Sequence, residues 1–137
     1  MFLPSLITGN LINKYGPSKM MYAGTFFYFL TIIMSIFEPN FVNYFISLIL
    51  LGIGWNFLYI SGTSLLVTTY QEHEKFKAQG LNDLVVFSAT ALGSLSAGIL
   101  ISLTSWKIIN FMCIPFIILI LASIIRADRK YNKLEKV

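Results

Sequence analysis

Residues 9–19 of this chain read Gly-Asn-Leu-Ile-Asn-Lys-Tyr-Gly-Pro-Ser-Lys, a short basic turn between two apolar segments. The segment after the turn, residues 18–37, contains no acid and only one base, at its start. Its length of about twenty residues is enough to cross the roughly 30 Å hydrocarbon core of a bilayer. The segment before the turn, residues 1–12, would reach little more than half way across at about 1.5 Å per residue. We therefore expect the chain to begin inside a membrane helix.

The composition is that of an integral membrane protein. Hydrophobic residues make up 56% of the 137 residues and charged residues only 12%, against about a quarter in a typical soluble domain. A soluble fold would have no interior large enough for these apolar side chains. The single cysteine, Cys113, has no partner for an internal disulfide, so it says nothing about the redox compartment.

Four full apolar spans follow the partial one, at residues 18–37, 43–69, 84–103 and 106–125. The connections between these spans are too short to form an extramembrane domain. The sequence therefore predicts one transmembrane region over residues 1–126. Residues 127–137 are predicted to form a basic cytoplasmic tail that is too short to fold by itself.

The basic residues lie almost entirely on one predicted side of the membrane. Of the ten lysines and arginines, the side that holds the 9–19 turn contains Lys14, Lys19, Lys75, Lys77, Arg126, Arg129, Lys130, Lys133 and Lys136. Only Lys107 lies on the other side. Basic residues resist translocation, so short loops with this distribution are predicted to be cytoplasmic, together with the C-terminus.

The 43–69 span carries polar and small residues on one side. At 100° per residue, an arc of about 120° holds Gly52, Trp55, Asn56, Tyr59, Gly62, Thr63 and Leu66. Hydrocarbon offers such polar groups no hydrogen-bond partners, so the arc should face protein or water. Two interpretations stay open. The arc forms interhelical hydrogen bonds with close packing at its glycines, or it lines a substrate route.

The 84–103 span has small residues at every fourth position. Two rows carry them, one of Ala89, Gly93 and Ala97 and the other of Thr90, Ser94 and Gly98. Small residues at this spacing allow two membrane helices to approach closely, so the rows predict helix packing. Ser94 lies near mid-membrane and is also a candidate for a substrate pocket.

Asp83 is the one acid that is a candidate to lie within the membrane boundary. A buried carboxylate there would be a candidate for proton coupling, because burial raises its pKa and makes protonation a switch. Asn82 and Asp83 also stand at the predicted start of a helix, where such residues cap free N–H groups. The sequence favours the capping interpretation.

Other kinds of function find no support in the sequence. His73 stands in a predicted loop with no second histidine or usable cysteine near it, so we expect no metal site. There is no nucleophile with a base, no pair of carboxylates and no phosphate-binding loop. We expect no enzyme activity, no cofactor and no nucleic-acid partner.

The turn resembles the signature of the major facilitator superfamily, Gly-x-Leu-x-Asp-Arg/Lys-x-Gly-x-x-Arg/Lys. The matching residues are Gly9, Leu11, Lys14, Gly16 and Lys19. The sequence departs from the signature at Asn13, where the family has an aspartate whose charge helps to latch the two halves of the carrier. The signature occurs after the second helix of the family and recurs, more loosely, after the eighth. The departure is more typical of the second copy.

The rest of the chain is similar to helices nine to twelve of the same family. The run Trp55-Asn56-Phe57-Leu58-Tyr59 with Gly62-Thr63-Ser64 resembles a tenth helix, and residues 74–80 resemble the loop before the eleventh. The resemblance implies an all-α integral membrane fold. It also implies that the chain is part of the C-terminal six-helix bundle, with four full transmembrane helices and a truncated one.

The resemblance further implies a secondary carrier that moves a small solute by alternating access in a bacterial inner membrane. It implies a substrate cavity lined by Trp55, Asn56, Tyr59, Thr63 and Ser94, and a cytoplasmic gating turn formed by Gly9, Lys14, Gly16 and Lys19. The chain would need the lipid bilayer and the missing N-terminal helices as partners, and would be inactive alone. Two alternatives stay open, a small membrane protein with an assembly or regulatory role and one part of a split transporter.

Overall fold

The structure, a computed structural model, describes the backbone of residues 2–36 and 40–134 and the side chains of residues 5–36, 40–71 and 73–129. The helices are α1 (Phe2–Tyr15), α2 (Pro17–Ile36), α3 (Phe41–Val67), α4 (Lys75–Leu103) and α5 (Trp106–Leu134), with one short 3-10 turn at Glu72–Glu74. The described residues contain no strand, so the all-α prediction is confirmed. Within α2 to α5, the structure has four segments long and apolar enough to cross a membrane. The predicted span end at residue 37 and the last tail residues, 135–137, lie outside the described residues.

A single glycine makes the turn between α1 and α2. Gly16 has a φ of +86°, and its N–H donates a 2.8 Å hydrogen bond to the Ile12 carbonyl. Glycine takes this left-handed conformation without a steric penalty, and Pro17 starts the next helix because its missing N–H would be unpaired there anyway. The turn is therefore much shorter than the predicted 9–19 segment, because helix α1 continues through Gly9 to Tyr15.

Helices α2 and α3 pack most closely at a pair of glycines. A Cβ atom on Gly24 would lie 2.9 Å from the Gly54 carbonyl oxygen, and one on Gly54 would lie 2.7 Å from a ring carbon of Tyr28. Small residues of this kind let membrane helices approach closely and gain van der Waals contacts. The sequence placed close packing at Gly52 and Gly62, but a Cβ on Gly62 would meet nothing within 4 Å. The close contact lies on another side of α3 because that side faces α2.

Helix α5 runs antiparallel to α2. At one end, the indole N–H of Trp106 donates a 3.3 Å hydrogen bond to the Ser35 carbonyl, and its ring meets Tyr44 edge to face at 5.5 Å. At the other end, the Tyr22 phenol faces the Asp128 carboxylate. Contacts at both ends hold α5 along the full length of α2.

Helices α4 and α5 are longer than their apolar stretches. Helix α4 begins at Lys75 rather than at the predicted residue 84, and α5 continues to Leu134 through most of the predicted tail. Apolar residues mark only the part of a helix that lies in hydrocarbon, whereas backbone hydrogen bonds continue into polar sequence. Asp83 therefore lies more than two turns inside α4, and the prediction that it caps the helix is wrong. The residue before α4 is Glu74, whose side chain makes no capping hydrogen bond.

Helix α4 stands apart from the other helices. None of its described residues is buried, and Gly93 and Gly98 have open space around them. The small-residue rows of this helix are exposed along their length. Helix packing at these rows stays a prediction, because no helix in the described part of the chain covers them.

Candidate functional site

Two aromatic side chains form the centre of the candidate site on α3. The rings of Trp55 and Tyr59 stack with centroids 6.2 Å apart and planes only 7° from parallel. Both residues are half-buried. They lie one helical turn apart, roughly 100° around α3 from the side that Gly54 and Leu58 present to α2. The pair is therefore held in a fixed orientation on a side of α3 that the closest neighbouring helix does not cover.

Asp83 on α4 holds the phenol end of this aromatic pair. The Tyr59 hydroxyl donates a 3.0 Å hydrogen bond to Asp83 Oδ1, and the Asn82 amide donates a longer one of 3.3 Å to the same oxygen. Asp83 is half-buried. The hydrogen bond from Tyr59 links two helices, α3 and α4, at a point inside both.

Asn56 faces a different neighbour. Its side-chain oxygen accepts a 2.7 Å hydrogen bond from the Thr8 hydroxyl on α1. Thr8 is fully buried and Asn56 is only 9% exposed. This geometry favours the interpretation of Asn56 as a hydrogen-bond link between helices. Sequence reasoning missed Thr8, although a hydroxyl in a mostly apolar segment was the available signal.

The other two predicted cavity residues do not join this group. The Thr63 hydroxyl donates to the Tyr59 carbonyl of its own helix at 2.9 Å, which satisfies the hydroxyl without a partner helix. Ser94 is exposed on α4, about three turns beyond Asp83. The structure thus brings Trp55, Tyr59 and Asp83 together and leaves Ser94 away from them.

The predicted gating residues lie around the α1–α2 turn. Gly16 is the turn itself. The Lys14 ammonium lies 5.3 Å from the centre of the Tyr15 ring, a distance within the range of a cation–π contact. Lys14 and Lys19 are exposed, and Gly9 lies on an exposed part of α1. The turn therefore presents two basic side chains next to a sharp reversal of the backbone.

The structure also contains a cavity that the sequence did not predict. It has a volume of about 460 Å³ and lies between α2, α3 and α5. Three of its polar side chains bond to their own helices: Thr31 donates to the Phe27 carbonyl, Ser47 to the Asn43 carbonyl, and Asn110 to the Trp106 carbonyl. The cavity is therefore apolar in character, and none of the five predicted cavity residues lines it.

The chain is an all-α, multi-pass integral membrane protein with aromatic and ionisable side chains held inside its spans. Polar groups in such positions are characteristic of proteins that carry solutes or ions across membranes. Within the described residues, no group of three histidines, cysteines or acids is arranged to hold a metal ion.

The sequence model of the Major Facilitator Superfamily matches residues 1–136, and the chain belongs to this family. Over 125 residues the chain is 34% identical to the riboflavin transporter RfnT of Brucella anthropi, with 91% of this chain and 31% of that protein covered. It is 31% identical over 127 residues to YdeG, an uncharacterized MFS-type transporter of Bacillus subtilis, with 86% of this chain and 30% of that protein covered. The chain thus spans about a third of the length of these relatives. No solved structure matches it.

Proposed function

We propose that this chain is the C-terminal portion of a secondary carrier that moves a small solute by alternating access. The observation that carries the proposal is the family match over residues 1–136. The coverage of about 31% of the first relative supports a larger functional unit. In such carriers the substrate binds near mid-membrane, between structural repeats. Trp55 and Tyr59 occupy a suitable depth, beyond the middle of a span of 27 residues.

The orientation that we propose places the Gly16 turn and the C-terminus in the cytoplasm of a bacterium, with the helices in its inner membrane. The distribution of basic residues supports this orientation. Lys14 and Lys19 are exposed at the turn, whereas Lys107 lies next to Trp106 at the start of α5. The basic turn would then act in gating on the cytoplasmic side.

The residues of the candidate site take different roles in this proposal. Trp55, Tyr59 and Thr63 would line the solute route. Asn56 would fix α1 against α3 beside that route, as its hydrogen bond with Thr8 supports. Asp83 would supply a charge at the edge of the route, where a change in its partner could couple solute binding to helix movement.

Riboflavin is the first solute to test, because one relative carries the name riboflavin transporter. The test measures uptake of labelled riboflavin by cells that lack their own uptake system. One strain expresses the chain together with the coding region upstream of Met1, and the matched strain expresses residues 1–137 alone. We expect uptake in the first strain and none in the second. Transport by the purified 137-residue chain in liposomes would contradict the proposal.

A second arrangement is favoured by the exposed faces of α4. Because none of the described α4 residues is buried, this helix has room for a partner from another polypeptide. The chain would then be one part of a split transporter, or an assembly subunit. Restoration of uptake by a separately expressed set of N-terminal helices would support the split transporter.

A further inference from the structure

The stacked rings of Trp55 and Tyr59, together with the Asp83 carboxylate, point to one class of solute. We propose that the carrier binds a flat aromatic molecule with an N–H or O–H donor on its edge. The ring of the solute stacks on the Trp55–Tyr59 pair, and its donor bonds to Asp83. This inference rests on the proposed carrier function and adds the chemistry of recognition.

The aromatic pair has the geometry of a stacking surface. Its planes deviate by 7° and its centroids lie 6.2 Å apart, within the offset parallel arrangement that aromatic rings favour. A third ring can continue such a stack on the outer face of either side chain. Because both residues are half-buried rather than enclosed, part of each ring stays open to a solute. Stacking of a flat nucleobase ring on an aromatic side chain is a substantial attraction in other proteins, and a flat solute ring could stack here in the same way.

The hydrogen bond of Tyr59 makes this surface rigid before a solute arrives. Its hydroxyl is bonded to Asp83 Oδ1 at 3.0 Å, so the phenol ring cannot rotate away without breaking this hydrogen bond. A surface that is ordered in advance loses less conformational entropy on binding. The pair is thus suited to a rigid, planar ligand.

Asp83 also supplies the acceptor for the edge of the solute. Both of its hydrogen bonds in the described residues go to Oδ1, and within that part of the chain Oδ2 accepts none. A carboxyl oxygen that accepts no hydrogen bond, at the rim of an aromatic surface, favours a ligand that presents a donor there. A flat ring with an imide, amide or hydroxyl donor meets both requirements.

The neighbouring polar groups do not form a site for a polyol. The Asn56 oxygen is occupied by Thr8 at 2.7 Å, and the Thr63 hydroxyl hydrogen is bonded to the Tyr59 carbonyl. Recognition of a sugar or sugar alcohol needs several hydrogen-bonding groups directed at its hydroxyls. The candidate site therefore selects for the ring of a solute rather than for a hydroxylated chain.

The experiment distinguishes recognition of the solute's aromatic ring from recognition of its hydroxylated side chain. Cells that express the complete carrier are given labelled riboflavin, alone or with one of two competitors. Lumichrome keeps the fused ring without the ribityl chain, and ribitol keeps the chain without the ring. Uptake of labelled lumichrome and labelled ribitol is measured separately. We expect uptake of riboflavin and competition by lumichrome, with no competition by ribitol. Uptake of ribitol, or competition by ribitol equal to that of lumichrome, would overturn the inference but leave the carrier function standing. No transport of any of the three by the complete protein would count against this inference and against riboflavin as the solute, but not against a carrier of another small solute.

Matched variants test whether the solute stacks on Trp55. Trp55→Leu should raise the KM for riboflavin about tenfold or more, whereas Trp55→Phe, which keeps a ring, should raise it much less. Trp106→Phe is the control, because Trp106 lies beside Tyr44 and Ser35 at one end of the bundle, away from the Trp55–Tyr59 pair. Equal KM values for the leucine and phenylalanine variants at position 55, at equal abundance in the membrane, would contradict stacking at this residue.

Discussion

The hydroxyl of Thr8 donates a 2.7 Å hydrogen bond to the side-chain oxygen of Asn56 and joins α1 to α3 in a buried position. The two residues are 48 positions apart in sequence. Removing one partner of a buried hydrogen bond leaves the other unsatisfied, whereas replacing both by apolar groups is close to neutral. This asymmetry makes the pair accessible to a double-mutant cycle.

The first prediction concerns this pair. Thr8→Val and Asn56→Leu should each lower the stability of the folded protein by about 1 kcal/mol, the usual scale for interhelical hydrogen bonds in membranes. The double variant should lose less than the sum of the two. Thermal unfolding in detergent, with the fraction of folded protein as the readout, measures the loss of stability in the two single variants and in the double variant. Strict additivity would mean that the two side chains do not interact. If Asn56→Leu also abolishes uptake at normal abundance, the residue has an additional role in the solute route.

The second prediction concerns the contact between α2 and α3. Gly24→Ala places a Cβ 2.9 Å from the Gly54 carbonyl oxygen, so the helices must move apart at a cost of about 1–3 kcal/mol. Gly62→Ala is the matched control, since a Cβ there meets nothing within 4 Å. The control should be neutral or slightly stabilising, because alanine favours a helix more than glycine does. The amount of folded protein in membranes should fall for the first variant only.

The third prediction concerns the link between α3 and α4. Tyr59→Phe removes the hydroxyl that bonds to Asp83. Helix α4 has no buried residue in the described chain, and the hydrogen bond from its Gln79 to Tyr70, just beyond α3, would remain. Spin labels placed at Val67 and Phe76, both exposed, should report a broader distance distribution in this variant. Thr63→Val is the control, because Thr63 bonds within its own helix. An unchanged distribution for Tyr59→Phe would show that the hydroxyl does not restrain α4.

The fourth prediction concerns orientation. In a chain whose single cysteine, Cys113, is replaced by serine, Lys107→Cys should react with a membrane-impermeant thiol reagent in intact cells. Lys19→Cys should react only after the membrane is permeabilised, because basic residues in short loops stay in the cytoplasm. The reverse pattern of labelling would invert the proposed topology.

The fifth prediction concerns the functional unit. With a C-terminal tag at the native locus and the upstream DNA kept in place, we expect a product several times larger than 15.5 kDa. That result would identify Met1 as an internal methionine of a complete carrier. A band at 15.5 kDa would instead favour a split transporter or a small membrane protein, and capture of partner polypeptides would then distinguish these two.

Sequence reasoning went furthest where the relevant property is local. Length and hydropathy predicted α2, α3 and the apolar parts of α4 and α5, because a segment enters hydrocarbon according to its own side chains. The glycine followed by proline at Gly16 and Pro17 located the turn, because both residues have intrinsic backbone preferences. The signature around that turn pointed to the family that the comparison then showed.

What the tertiary structure decided is which groups meet. Periodicity placed Trp55, Asn56 and Tyr59 in one arc of α3, but it could not tell that Asn56 bonds to Thr8 while Tyr59 bonds to Asp83. Nor could it tell that the close backbone contact lies at Gly54 rather than at Gly62. A helical pattern defines the direction of each side chain about its own axis, whereas a partner depends on how neighbouring helices are placed around that axis. The sequence by itself therefore determined the membrane spans and the turn, and packing between helices decided the site.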